Sequence, residues 1–325
     1  MRKLRNLLLL SALLLSLAAG ATEKQSLFGW SASATMTSNY IWRGLYVGGP
    51  SIQLDATVSY AGVYANMWWN IGAMDWTFQA FNPEVDVMIG FSRWGLNVSY
   101  LHCFYFDHYA DGSPSRFFDF RNHAPGGGGT TGEWRVSYTH AIPIKKGYDG
   151  QLTALVACRT FSRDGYYQDN SNELKRAYST YIEVGYDQQL GDDWTLAARL
   201  GATPAKSMYT GFKGNFAVML VGLKLNKAWQ MGHGVVMNAF ANIMLQPWQV
   251  NKDNLIMPID RAGEQKLNVA LGCSVGYKKT RRQFGALFFV GRCRLENIFY
   301  LQGWDSREIQ RGSIFRYIFF ALMIR

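Results

Sequence analysis

Residues 51–72, SIQLDATVSYAGVYANMWWNIG, alternate between apolar and polar one residue at a time. Ile52, Leu54, Ala56, Val58 and Tyr60 fall on one face, with Gln53, Asp55, Thr57 and Ser59 on the other. A period of two belongs to a β-strand. The pattern breaks at Ala61-Gly62 and then resumes, which reads as a tight hairpin. Each such strand has an apolar face to cover.

The pattern recurs along the chain. It predicts strands near 29–43, 51–60, 63–72, 84–93, 96–106, 132–142, 151–161, 177–188, 193–203, 214–225, 234–246 and 266–277, with a last hairpin at 284–292 and 313–325. Short connections alternate with long ones. The long ones are 44–50, 73–83, 107–131, 162–176, 204–213, 247–265 and 293–312. Short turns at one end and longer loops at the other describe an all-β, antiparallel, up-and-down transmembrane barrel with its turns in the periplasm. About fourteen strands are predicted, with twelve as the alternative.

Composition supports lipid as the cover. The chain is 48% hydrophobic and 15% aromatic. Yet no stretch approaches the roughly 18 uninterrupted apolar residues of a spanning helix. The longest, 314–324, contains Arg316. No amphipathic helix pattern of useful length offers a soluble alternative. Residues 1–21 combine Arg2, Lys3 and Arg5, an apolar Leu7–Leu17 core and Ala19-Gly20-Ala21. This reads as a signal peptide, leaving 22–325 as one barrel domain. The expected location is the outer membrane of a Gram-negative cell.

The formal charge of +10 is uneven. Residues 276–325 hold ten Lys and Arg against Glu296, Asp305 and Glu308. Export and this distribution argue against nucleic acid. Basic residues at a membrane rim suit lipid phosphates or lipopolysaccharide. Cys103, Cys158, Cys273 and Cys293 lack metal-ligand spacing and read as small packed residues.

The alternation assigns Ala32, Ala34, Met36, Leu54, Val85, Val87, Ile89, Leu152, Val156, Leu267, Val269 and Leu271 to the lipid face. Tyr40, Trp42, Trp69, Trp94, Trp134, Trp194, Trp229 and Tyr277 suit aromatic girdles at the two interfaces. Segments 214–225, 234–246 and 284–292 alternate too poorly to orient. Pore-lining candidates are Arg43, Asp55, Glu84, Asp86, Arg135, Arg159, Glu183, Asp187 and Arg199. Acids and bases facing across a lumen give selectivity to a water-filled pore, or fill a narrow barrel as a salt-bridge network. Arg43 reads as a constriction or anion residue, or as the partner of an acid such as Asp55.

The longest connection, 104–129, is crowded with aromatic residues and ends in four Gly. Phe104, Tyr105, Phe106, Phe117, Phe118 and Phe120 are constriction-loop candidates. The alternative is a loop that packs over the mouth. His102, His108 and His123 with Asp107 and Asp111 lack a compact ligand spacing, so no metal is expected. Ser137 and His140 have opposite parity and cannot pair as a hydrolytic dyad. No catalytic residue and no cofactor is expected, and the chain does not read as an enzyme.

Thr37–Gly44 reads TSNYIWRG, followed by Pro50-Ser51-Ile52-Gln53 and Gly62-Val63-Tyr64-Ala65. With EVDVMIGF at 84–91 and the hairpin at 181–201, these elements resemble the Gcw_chp family of exported bacterial proteins of unassigned function. The resemblance spans 30–225 and implies an outer-membrane barrel without a reaction. The chain ends on Arg325, where barrels of this kind usually end on an aromatic residue. The expected function is a porin-like channel for small polar solutes. The alternatives are a closed accessory barrel partnering another envelope protein and a lipid-modifying enzyme.

Overall fold

The computed structural model describes residues 28–73, 83–106, 108–109, 111–123, 128–167, 172–212, 216–248 and 267–280. They form β1 (Phe28–Thr37), β2 (Tyr40–Trp42), β3 (Leu45–Gly48), β4 (Ser51–Tyr60), β5 (Val63–Ala73), β6 (Glu84–Arg93), β7 (Leu96–Tyr105) and β8 (Thr130–Ile142). Then follow β9 (Gly150–Ser162), β10 (Gly165–Tyr167), β11 (Leu174–Arg176), β12 (Thr180–Leu190), β13 (Trp194–Thr203), β14 (Ala217–Gly232), β15 (Val235–Leu245) and β16 (Leu267–Thr280).

Twelve of these strands close an antiparallel barrel in the order β1-β16-β15-β14-β13-β12-β9-β8-β7-β6-β5-β4. β16 meets β1 from Gly29↔Thr280 to Thr37↔Gly272, and the other edge of β1 is taken by β4. With both edges of β1 paired, the ring is complete. The strand number is therefore twelve, the predicted alternative, rather than fourteen. The hairpin at 284–292 and 313–325 lies outside the described residues, as does the signal-peptide segment 1–21.

Local chemistry explains the turns. Ala61-Gly62, Trp94-Gly95 and His233-Gly234 each place two successive residues at positive φ. That is the type I′ geometry whose twist matches the flanking strands. Large apolar side chains such as Val58, Ile89, Val136, Val156, Leu200, Leu223, Ile243 and Leu271 stand exposed around the outside, a surface suited to lipid. Register orients the two strands that sequence left open. β14 sends Val221, Leu223 and Leu225 outward, and β15 sends Met237 and Ile243 outward.

The strand predicted over 29–43 stops at Thr37. Tyr40–Trp42 and Leu45–Gly48 pair with each other in a separate hairpin. Tyr40, Ile41, Trp42, Arg43 and Leu45 are all buried there. Tyr40 and Trp42 thus leave the predicted membrane girdle for the barrel interior. A second inturned segment follows β13: Met208–Thr210 forms a 3-10 turn and buries Met208, Tyr209 and Phe212.

Candidate functional site

The hairpin apex is Arg43-Gly44, at φ +50° and +83°, the same I′ turn as at the barrel rim. Glycine is required at 44, because a Cβ would sit 2.3 Å from the Met219 carbonyl oxygen. The stem is held by Ser38 N–H donating to the Leu271 carbonyl at 2.8 Å. Asn39 Nδ2 donates to the Val269 carbonyl at 2.6 Å, and Asn268 Nδ2 to the Gly44 carbonyl at 3.1 Å. β16 is thus the hinge wall of the hairpin.

From there the hairpin reaches across the lumen. Tyr40 Oη donates to Glu84 on β6 at 2.9 Å, and its ring packs 5.5 Å from Trp68 of β5. Ile41 packs with Leu220, Met244 and Ala270 of β14, β15 and β16. Trp42 and Leu45 join Leu155, Ala157, Tyr181, Tyr209, Phe212 and Met219 in the apolar cluster that fills this level of the barrel. The hairpin is a plug.

Its tip carries the charge. Arg43 Nη1 and Nη2 donate to Glu133 of β8 at 2.7 and 2.8 Å, a bidentate pair. Arg43 also donates to the Tyr209 hydroxyl. Its guanidinium carbon lies 4.2 Å from the Tyr181 ring centroid and 4.8 Å from that of Trp42. Arg43 is 6% exposed and Glu133 2%. Arg135 Nε donates to the same carboxylate at 2.5 Å. Arg159 donates from Nη1 to Thr131 Oγ1 at 2.7 Å and lies 5.0 Å from the Trp42 ring. A register shift between Gly132 and Glu133 aims Glu133 at the plug.

The remaining charged candidates lie on the inner wall. Asp187 accepts from Arg199 Nη2 at 2.8 and 3.0 Å, and Glu183 stands 3.8 Å from Arg199 Nε. Asp55 accepts from Asn66 Nδ2 at 3.1 Å. Glu84, Asp86 and Cys103 bring ligand atoms within 4.8 Å of one another, the one grouping of metal-ligand types among the described residues. Tyr40 already engages Glu84, and nearby arginines supply positive charge to this wall. Ser137 is buried and faces inward, whereas His140 is exposed.

Sequence reasoning missed Glu133, Tyr181 and Tyr209. Glu133 shares parity with Arg135 and Ser137, so the strand pattern contained it. Tyr209 lies in a connection that was read as an outer loop. The plug itself had a signal. Arg43-Gly44 repeats the residue-plus-Gly form of Ala61-Gly62 and Trp94-Gly95.

The plug does not seal every polar atom. Among the described residues Trp42 Nε1, Arg43 Nε, Arg135 Nη2, Arg159 Nε and both amide atoms of Asn226 are buried without a hydrogen-bond partner. A small, partly open cavity of about 30 Å³ remains beside the hairpin, lined by Thr35, Asn39, Gln53, Trp68 and Asn242. Ser31, Ser33, Asp55 and Thr57 on β1 and β4 keep partial solvent contact.

The aromatic connection is placed differently from the constriction predicted. Val85, Val87, Ile89 and Phe91 of β6 share one face, and register pairs Val85 with Phe104 and Val87 with His102. Phe104 and His102 therefore lie on the outer face of the wall. Phe117 packs at a tilt against His102 and Phe104, with ring centroids 4.6 and 5.4 Å away, and Phe120 packs on Phe161 at 4.9 Å. Phe106 and Phe118 extend that cluster. Tyr105 alone of the six turns inward, against Arg163 at 4.4 Å. The connection folds over the outside because Phe117 and Phe120 have apolar ring partners there.

No family model matches the chain, and no curated protein matches it. The resemblance to the Gcw_chp family is therefore not joined by a family assignment. Solved structures do match. The NanC porin is 12% identical over 78% of this chain and 100% of its own, with a TM-score of 0.40. An outer-membrane channel from Pseudomonas putida F1 is 7% identical over 80% and 97%, with a TM-score of 0.37. The translocator domain of the autotransporter NalP from Neisseria meningitidis is 13% identical over 85% and 97%, with a TM-score of 0.36. The likeness is of bacterial outer-membrane barrel architecture at a distance.

Proposed function

We propose that this protein is an outer-membrane channel for small polar solutes, described here with its lumen closed by a movable plug. The observation that carries the reading is the way the plug is seated. Its tip is an arginine held by one carboxylate and two tyrosine rings, not an apolar knob in an apolar socket. A buried ion pair gains little net stability over water, because desolvation opposes it. The partly hydrated inner faces of β1 and β4, with Asp55, Thr57, Ser31 and Ser33, would line the solute path.

Arg43 acts in this scheme as latch and Glu133 as catch, with Arg135 bonded to the same carboxylate. Asp187, Glu183 and Arg199 form a second charged band that screens solutes by charge. A second reading is favoured by the apolar cluster around Trp42, Leu155, Tyr181 and Met219, which spans the lumen at one level. On that reading the barrel stays closed and serves as a partner of another envelope protein.

Planar-bilayer conductance separates the two. The wild-type chain should conduct rarely, and a variant with 39–48 replaced by a Gly/Ser linker should conduct steadily. If neither passes current at any voltage, the channel is excluded and the accessory barrel stands.

A further inference from the structure

The aromatic connection between β7 and β8 has no part in the plug, yet it is built with care. Asp119, buried, ties it together. It accepts from Tyr109 Oη at 2.7 Å, from Arg121 Nε and Nη2 at 2.9 Å, and bonds to His123 Nε2 at 2.8 Å. Thr130 Oγ1 donates to the Asp119 carbonyl at 2.5 Å, fixing the segment to β8. His102 Nε2 meets the Phe117 carbonyl at 2.7 Å, fixing it to β7. A segment so held presents a defined surface, and that surface is apolar. Phe118 is 77% exposed, with Phe106 and Phe120 both above half.

The patch is continuous with the outer belt of the barrel. Phe120 contacts Phe161, Phe161 contacts Tyr100, and Tyr100 packs edge-on at 5.0 Å against exposed Trp134. From Trp134 the outward face of β8 runs on through Val136 and Tyr138. The same material that covers Val136 would cover Phe118. Arg116 and Arg121 are exposed beside the rings, with Asp111 at the loop tip already engaged by Ser113.

We propose that Phe106 and residues 111–123 form a membrane-seated shoulder. Phe106, Phe118 and Phe120 enter the acyl region of the outer leaflet, and Arg116 and Arg121 meet the phosphates of its lipid headgroups. Rings carry apolar area into the interface, and guanidinium groups bind phosphate oxygens through paired N–H donors. The inference rests on the barrel spanning a membrane and is independent of whether the lumen conducts.

The test places the photoreactive residue p-benzoylphenylalanine at Phe118, with Val136 as the belt reference, in full-length protein reconstituted into phosphatidylethanolamine–phosphatidylglycerol vesicles. After irradiation and mass spectrometry, position 118 should give lipid adducts within about twofold of position 136. Adducts to a second protein chain, or none while Val136 labels lipid, would overturn the shoulder. For the arginines, Arg116→Gln with Arg121→Gln should remove most of the rise in thermal midpoint seen on moving from neutral detergent to these vesicles. An undiminished rise would overturn the headgroup contact. A protein that labels lipid at both positions but never conducts refutes the channel and leaves the shoulder intact.

Discussion

At the scale of single residues, the plug depends on Arg43 more than on any other side chain. Removing Arg43 takes away the bidentate donor of Glu133 but leaves Arg135 bonded to it, so the cost should fall below the roughly 3–5 kcal/mol of a fully orphaned buried charge. Arg43→Ala should therefore lower the thermal midpoint in detergent and raise conductance. Replacing both partners, Arg43→Met with Glu133→Gln, should recover much of the stability, and a double-mutant cycle measures the difference. Gly44→Ala should unseat the hairpin tip, since its Cβ would strike the backbone of Met219 and its φ is positive. Outside the spanning strands, the Arg121 guanidinium bonded to Asp119 holds that carboxyl well below the usual carboxylate range. A depressed carboxyl stabilises above its unfolded value, near about 3.9, and that stability fades as pH falls toward the folded value. Hydrogen-exchange protection of residues 111–123, taken relative to intrinsic exchange at each pH, should stay flat from neutrality to about pH 5 and fall below about pH 4. Parity puts Asp55, Glu84, Asp86, Arg135, Arg159, Glu183, Asp187 and Arg199 on the polar face of their strands, and it does not name their partners. Asp55 is a candidate partner of Arg43 in the sequence; in the fold Arg43 meets Glu133, 90 residues away, because the path of the hairpin brings the two together.

At the scale of elements, the TSNYIWRG segment is where period and structure part. Its first residues continue the alternation of β1, so it reads as strand. The run ends because Thr37 Oγ1 donates to the Asn39 carbonyl and Asn39 Nδ2 to that of Val269. These bonds turn the chain off the wall. Hydrophobic period cannot distinguish an apolar residue facing lipid from one facing a filled lumen, so Tyr40 and Trp42 were assigned outward. The same ambiguity reads Phe104, Phe106, Phe117, Phe118 and Phe120 as inward, whereas in the fold they cluster on the outside. Proteolysis offers a check on the second inturned element. Disrupting the Met208–Phe212 turn with Tyr209→Gly should loosen the hairpin as well, so both 38–50 and 204–212 should become cleavable together in detergent.

At the scale of the whole molecule, the closure of β1 on β16 sets the strand count. Met36 and native Cys273 are paired in register and both exposed. Paired residues on neighbouring strands stand within disulfide reach. Met36→Cys, in a background with the other three cysteines changed to serine, should cross-link to Cys273 on mild oxidation and shift mobility on a denaturing gel. A barrel of fourteen strands would hold two more strands between them and give no cross-link. Membrane fractionation should place the protein with the outer membrane, and unboiled samples should migrate as compact β-rich species.

Alternation and connection length point to an antiparallel barrel and give most of its strands an apolar and a polar face. These properties are local, since each strand must give one face to lipid wherever its neighbours lie. The strand count, the inturned hairpin and the Arg43–Glu133 latch are properties of closure. They depend on which distant segments share the inside of one cylinder, and a one-dimensional pattern of period two carries no record of that.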